Sequence, residues 1–326
     1  MKNQILKILK EQAQYISGED ISKALNVSRT AVWKHINELR KDGYTIESSS
    51  KKGYKFLRAP DILDRREINI PQGQLIGGNI QHFVEIDSTN NYAKKIANEG
   101  CAHGTVIVAD RQTMGRGRIG RQWQSDTSEG IWVSLVLRPD LEPENIQIIT
   151  LAASVAVVEA IKETQGIVCG IKWPNDIILD GRKLGGILTE LSAEPGHVNY
   201  VVVGIGINAN QDSEIFDYEI RQRAVSLKMH KGESVSRSHL LGSILTNFEK
   251  IYKYVLHGKN KDIIDKWTDY SVTIGKEVKV AYRDVEYIGT AQSIAHDGRL
   301  IVKCKDGVIR EIAAGEIQVR GLLGYT

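Results

Sequence analysis

Apolar residues recur at helical spacing near the N-terminus, then gather into short runs and alternating stretches, so the chain predicts a helical head followed by a mixed body. Ile5, Leu6, Ile8 and Leu9 form one apolar stripe and predict a first helix. Ser17-Gly18-Glu19-Asp20 is an S-x-x-D start signal, in which a serine hydroxyl accepts an otherwise orphaned N–H; Ile21, Ala24 and Leu25 continue a short second helix. Asn26-Val27 turns the chain, Ser28 can cap a third helix reaching about Lys41, and Gly43 ends it. On that helix Val32, Ile36 and Leu39 share one face and predict core, while Thr30, Trp33, Lys34, Asn37 and Lys41 lie opposite, with Arg29 at the start. Tyr44–Glu47 and Gly53–Leu57 alternate as two strands around Ser48–Lys52, a hairpin with Lys51 and Lys52 at its tip. Residues 1–60 therefore read as a winged helix-turn-helix. Water gains nothing from an exposed indole, so Trp33 beside Lys34 and Asn37 suits a face that reads a groove.

The stretch 61–70 is mostly polar and reads as a linker. Beyond it, a strand ending at Ile86, a helix over Thr89–Glu99 and a strand over Thr105–Ala109 alternate. Ile131–Leu137 is an unbroken apolar run, and Asn145–Thr164 predicts a long apolar helix. Further strands are expected at Ile171–Trp173, Ile177–Leu179, Leu184–Leu191 and Val198–Ile207, with Asp180-Gly181 as a hairpin turn. Hairpins mixed with helices favour an α+β body, residues 71–270, over a doubly wound parallel sheet. Ser236–Leu256 and Asp262–Asp269 read as its closing helices. From Val272 short strands with turns at Asp284, Asp297-Gly298 and Asp306-Gly307 predict a small β-barrel of SH3 type over 271–326.

Charge sharpens the division. Twelve Lys/Arg against six Asp/Glu give residues 1–60 a net +6, which leaves −3 for the rest of a chain whose total is +3. A basic head on a mildly acidic body points to a nucleic-acid partner for the head. No run reads as a membrane span, and the first residues lack a signal peptide's apolar stretch, so the expectation is a cytoplasmic protein with no membrane partner. Cys101, Cys169 and Cys304 are odd in number and far apart, which predicts reduced structural thiols. None of the eight histidines has metal-site spacing and no Ser/His/Asp order is evident, so zinc and hydrolase chemistries drop out and no metal ligand is assigned.

The chemistry concentrates between Ala109 and Trp123, where Arg116, Arg118 and Arg121 alternate with Gly115, Gly117 and Gly120. Such a segment cannot be core, because each guanidinium would be buried unpaired. It can wrap an anion, since glycine permits close backbone approach and arginine offers forked donors. Gly115-Arg116-Gly117-Arg118-Ile119-Gly120 matches G-x-G-x-x-G, but the residues after it would not form a helix, so the dinucleotide reading fails on context. Three other blocks accompany it: Asp87-Ser88-Thr89-Asn90, Lys172-Trp173-Pro174-Asn175-Asp176 leading to Lys183-Leu184-Gly185-Gly186, and Gly204-Ile205-Gly206-Ile207-Asn208.

These four blocks, in this order from about Phe83 to Asn208, closely resemble the biotin protein ligases, and the head resembles that of the ligases which also repress biotin genes. The resemblance implies an ATP-dependent enzyme that forms biotinoyl-5′-AMP and passes biotin to a lysine of a biotin carboxyl carrier protein, with Mg²⁺ bridging the ATP phosphates. It further implies binding to operator DNA of biotin genes through Arg29, Thr30, Trp33, Lys34, Asn37, Lys51 and Lys52, as a homodimer when biotinoyl-5′-AMP is bound.

Carried over by position, Ser88, Thr89 and Gln112 suit the ureido ring of biotin, helped by backbone at Arg116, with Asn90, Gly115 and Gly117 beside them. Gly186, Leu188, Gly204 and Gly206 fit a narrow slot for the acyl chain. Lys183 and Arg118 are the catalytic candidates: Lys183 would hold the carboxylate and α-phosphate oxygens, and both touch biotin and nucleotide. Arg116, Arg121, Trp123, Lys172, Asn175, Asp176 and Asn208 complete the nucleotide set, Trp123 closing over adenine. For Asp176 a metal or amine contact and a turn-stabilising role stay open, as does a surface role for Lys172. Ile119 stands where some relatives carry arginine, and no role is expected there. A DNA-binding biotin sensor and a lipoate ligase are the competing readings. Intact Arg118 and Lys183 oppose the first, because sensing needs no adenylating cations.

Overall fold

The computed structural model describes residues 1–282, 285–314 and 318–321. The chain divides into two compact units, Met1–Ile62 and Leu63–Thr326. The turn expected at Asp284 lies outside the described residues.

In the first unit α1 (Lys2–Glu11), α2 (Gly18–Leu25) and α3 (Arg29–Lys41) precede the hairpin β1 (Thr45–Ser49) and β2 (Gly53–Arg58). Both expected caps form: the Ser17 hydroxyl accepts from Asp20 N at 3.0 Å, and that of Ser28 from Ala31 N at 3.1 Å. Asn26 ends α2 in the left-handed conformation, which its short polar side chain tolerates. Val32, Ile36 and Leu39 are buried with Ile5, Leu6, Leu9, Ile21, Tyr44 and Ile46, each full burial contributing about 1.5–3 kcal/mol. Ile16 pairs with Tyr54 as a third, single-residue rung of the wing.

The second unit begins earlier in the chain than its first strand. Leu63 and Ile68, inside the stretch expected to be a linker, are buried in its core. Then come β3 (Ile80–Ile86), α4 (Thr89–Asn98), β4 (Thr105–Gln112), β5 (Ile131–Leu137), α5 (Gln147–Gln165), β6 (Gly170–Lys172), β7 (Asp176–Leu179), β8 (Arg182–Glu194) and β9 (His197–Ile207). Helices α6 (Tyr218–Arg221), α7 (Leu227–Lys231), α8 (Arg237–Leu256) and α9 (Asn260–Asp269) follow; the first two were not expected, being only a turn or so long in polar sequence. The strands form a seven-stranded mixed sheet in the order β3-β4-β5-β9-β8-β7-β6, antiparallel except for the β3–β4 pair that α4 connects. At the β7–β8 turn Asp180 (φ 52°) and Gly181 (φ 69°) are both left-handed, the geometry that Asp-Gly favours.

Strand alternation assigns the two faces of this sheet different tasks. Val133, Leu135, Val203, Ile205 and Ile187 point to one face and join the main core beneath α5. α5 is apolar all round because it is buried all round, against the sheet on one side and α8 and α9 on the other. The segment Pro143–Gln165 that contains it is long and apolar enough to cross a membrane by those two measures alone, but most of it is buried inside the fold. On the opposite face α4 covers Val136 and Val202, and toward its N-terminus the same rows continue as Trp132, Ser134, Gly204, Gly206, Gly186 and Leu188. A face that changes from valine to glycine opens a slot. The cysteines are free, and burial pushes the Cys169 thiol up to about 12, in keeping with an inert structural role.

The last strands, β10 (Glu277–Tyr282), β11 (Val285–Ile294), β12 (Leu300–Cys304), β13 (Ile309–Ile312) and β14 (Gln318–Gly321), form an antiparallel sheet in the order β13-β12-β11-β10-β14. Val278, Val280, Ala291, Leu300 and Val302 join the main core, so this segment packs as part of the second unit.

Candidate active site and nucleic-acid interface

A cavity of about 750 Å³ opens on the glycine-bearing face of the large sheet. Its closed end is polar and internally satisfied. Gln112, at the last position of β4, accepts from Thr89 N at 2.8 Å and from Thr89 Oγ1 at 3.0 Å, and donates to Ser125 Oγ at 3.1 Å. The Ser134 hydroxyl lies 2.8 Å from Thr89 Oγ1 and 2.5 Å from Asn90 Oδ1. Ser88 caps α4 without a side-chain cap bond and lines the cavity.

The floor is glycine by necessity at two positions. A Cβ on Gly204 would fall 2.2 Å from Asn90 Oδ1, and one on Gly206 would fall 3.0 Å from the Trp123 indole. Leu188 and Gly186 continue the floor. The Trp123 indole lies along the glycine floor, edge-on to Trp132 at 6.4 Å between ring centroids. Strands without side chains leave room there for the largest aromatic, and an isolated antiparallel bridge joins Arg116 to Gln122 within the loop. The Trp123 Nε1 is buried with no hydrogen-bond partner among the described residues.

The other end is cationic. Lys183 Nζ lies 2.5 Å from Asp176 Oδ1 and 5.2 Å from the Trp123 ring centroid. Arg118 donates to Asn175 Oδ1 at 3.1 Å and to the carbonyl of Ala314, which ties the arginine loop to the C-terminal segment. Burial draws the Arg118 guanidinium below its usual value while Asp176 opposes the shift; an arginine so placed stays a cation. Arg121, Lys172, Arg116 and Gly117 also line the cavity. Asn175 is locked by donating to the carbonyl of Ile187 at 2.7 Å.

Two expected residues lie outside the lining. Asn208 is buried and donates to the carbonyls of Val225 at 3.1 Å and Lys183 at 3.4 Å, so it holds the backbone of Lys183 and does not line this cavity. Gly115 packs against the Ser125 hydroxyl and the Trp123 carbonyl, where no Cβ would fit. Ile119, given no role above, lines the cavity with φ at 55°, a strained value for a β-branched residue. Sequence reading missed Gln222 and Arg223, which line the cavity because Lys183 N donates to the Arg223 carbonyl at 2.7 Å. Nothing in the local sequence announces that pairing. Ser134 could have been found, as the one hydroxyl in an apolar strand.

The head carries its own candidate surface. Arg29, Thr30, Trp33 and Lys34 are exposed on α3, Trp33 at 58%, and Asn37 is half-buried. Lys51 and Lys52 are exposed at the wing tip, where the Lys52 ammonium lies 5.7 Å from the Tyr15 ring centroid. Arg40 fixes the wing to α3 by donating twice to the Ile46 carbonyl, at 2.7 and 3.1 Å.

Comparison with known proteins places this arrangement. Residues 83–208 match the biotin/lipoate A/B protein ligase family, residues 2–55 an HTH domain, and residues 273–320 the biotin protein ligase C-terminal domain. The bifunctional ligase/repressor BirA of Bacillus subtilis is 41% identical over 308 residues, 94% of each chain. The chain belongs to the biotin protein ligase family. The bifunctional ligase/repressor BirA of Escherichia coli is 29% identical over 94% of each chain. A biotin protein ligase from Aquifex aeolicus, solved in complex with biotin and ATP, superposes with a TM-score of 0.64 at 30% identity, covering 75% of this chain and 99% of that one.

Proposed function

We propose that this chain is an ATP-dependent biotin protein ligase and a DNA-binding repressor of biotin genes. One observation carries the enzymatic half: a single cavity joins a closed polar end, a glycine floor and a cluster of Arg118, Arg121 and Lys183. Those three parts suit a cyclic urea, a slim alkyl chain and a carboxylate meeting a phosphate.

The chemistry follows from the charge problem. A carboxylate is a poor acyl donor, so it first attacks the α-phosphorus of ATP; a new P–O bond forms, the α–β bridging bond breaks, and pyrophosphate leaves. Two anions must meet in that step, and Lys183, Arg118 and Arg121 offset the charge that develops. A carrier lysine amine then attacks the acyl carbon, AMP departs with the C–O electron pair, and the amine loses a proton.

Mg²⁺ fits as part of the nucleotide and not as a resident ion. Among the described residues no group of three or more His, Cys, Asp or Glu could hold a metal, and the one carboxylate lining the cavity, Asp176, is paired with Lys183. Carried in on the triphosphate, Mg²⁺ would supply further neutralisation of the phosphates.

The head supports the repressor half through its exposed α3 face and lysine-tipped wing. One such module rarely supplies enough specific affinity, so the chain acts on operator DNA as a homodimer formed with biotinoyl-5′-AMP bound; two linked heads make the second contact intramolecular. A cytoplasmic location follows from operator DNA and a carboxylase carrier as partners. Biotin-dependent exchange of pyrophosphate into ATP tests the activation step, with lipoate run in parallel. Exchange with biotin alone supports the reading; exchange only with lipoate, or with neither, overturns it.

A further inference from the structure

Glu190 lies on β8 two positions beyond Leu188, on the same face, and does not line the cavity. Its carboxylate nevertheless gathers three groups. Oε2 accepts from Asn90 Nδ2 at 2.9 Å, and Oε1 accepts from Lys94 Nζ at 2.9 Å and from Arg116 Nη1 at 3.0 Å. Asn90 and Lys94 belong to α4, whereas Arg116 belongs to the arginine loop.

A carboxylate only accepts hydrogen bonds. Asn90 must therefore turn its NH₂ toward Glu190 and its oxygen toward Ser134 and Gly204, where the Ser134 hydroxyl lies 2.5 Å away. From Ser134 the contacts run on to Thr89, Gln112 and Ser125, the groups that close the polar end of the cavity. We infer that Glu190 is a positioning residue which, through Asn90 and Arg116, sets the direction of the hydrogen bonds at that end and so the affinity for the cyclic urea of biotin. This rests on the ligase reading above.

The carboxylate is ionised where it matters. Burial disfavours its charge, but hydrogen bonds from Asn90 and Lys94, with the charges of Lys94 and Arg116, outweigh burial and hold Glu190 below the usual carboxylate range. An amide in its place could offer NH₂ to the Asn90 oxygen, let Asn90 turn over, and reverse the chain toward Ser134. Arg116 would lose its counter-charge in the same change.

Calorimetry of the full chain with biotin alone, then KM and kcat for carrier biotinylation, tests this. Glu190→Gln is expected to weaken biotin binding about tenfold or more and to raise the biotin KM in step. kcat at saturating biotin should stay within about twofold, because the carboxylate reaches no reacting atom. Glu190→Asp keeps an acceptor-only group and is expected to bind biotin more tightly than Glu190→Gln. Biotin affinity of Glu190→Gln within about twofold of wild type, a loss in kcat with KM unchanged, or an aspartate variant no better than the glutamine one overturns the inference. Should Glu190→Gln not fold, Arg116→Met removes one arm alone and is expected to weaken biotin several-fold; unchanged affinity there overturns the inference equally. A wild-type chain that does not bind biotin defeats the ligase reading itself, which keeps the two failures apart.

Discussion

Adding one methyl group at Gly204 puts the proposed site to a severe test. The new Cβ would stand 2.2 Å from Asn90 Oδ1, 2.9 Å from its Cγ and 3.1 Å from its Nδ2, all inside van der Waals contact. Neither partner can yield cheaply, because Gly204 lies mid-strand between β5 and β8 and Asn90 is held by Ser134 and Glu190. Relief requires Asn90 to move by roughly an ångström, an overpacking cost of about 1–3 kcal/mol. The movement also breaks a neutral hydrogen bond, worth about 1 kcal/mol, and one to a carboxylate, worth about 1.5–3 kcal/mol. Part of this total falls on folding and part on ligand binding, since Ser134 and Thr89 shift with Asn90. Gly204→Ala is therefore expected to lower the melting temperature by several degrees and to weaken biotin binding about tenfold or more, 1.4 kcal/mol being a factor of ten. Thermal unfolding with and without biotin, alongside calorimetry, reads both. A variant that melts and binds like wild type would refute the claim that Asn90 is fixed against a glycine floor.

Lys183→Met should slow adenylate formation by about 10²–10³ while weakening biotin binding without ATP much less, because the charge it offsets develops only when carboxylate and phosphate meet. Pre-steady-state pyrophosphate release measures this, and a loss confined to biotin binding would contradict it. Arg118→Gly removes the side chain that ties the arginine loop to Asn175 and Ala314. Its adenylate should escape and label lysines on bystander proteins; labelling confined to the carrier would show that Arg118 is no retainer. Lys51→Ala with Lys52→Ala should weaken DNA binding evenly across sequences and reduce the salt slope by about two, leaving carrier biotinylation unchanged. An unaltered slope in gel shifts across a salt series would remove the wing from the DNA contact.

Local signals in the sequence were enough for most of this fold, and distant pairings were not. Ser17 and Ser28 cap the helices their positions suggest, Asp180-Gly181 turns as its composition demands, and Ile131–Leu137 is a strand to the residue. Helices α6 and α7 escaped because they draw their stability from docking beside Lys183, and not from any apolar stripe of their own. The same cause hid Gln222 and Arg223. Residues of the four motif blocks meet in one cavity, but motif membership does not distinguish those that line it: Asn208 and Gly115 belong to the blocks and lie outside the lining. Glu190 is the converse case, a polar residue in a strand whose partners lie 74 to 100 positions earlier. Trp123 belongs to a motif block, but only the folded register shows that its indole faces Gly206 and Gly186.

The central claim is that this chain joins biotin to a lysine through an adenylate. The most direct measurement incubates the purified chain with biotin, Mg·ATP and a biotin carboxyl carrier fragment, and weighs the carrier by intact-mass spectrometry and peptide mapping. The account predicts one biotin per carrier on a single lysine, dependent on ATP and accompanied by AMP and pyrophosphate. A carrier of unchanged mass, with biotin bound and ATP intact, would contradict it and leave a DNA-binding protein that senses biotin.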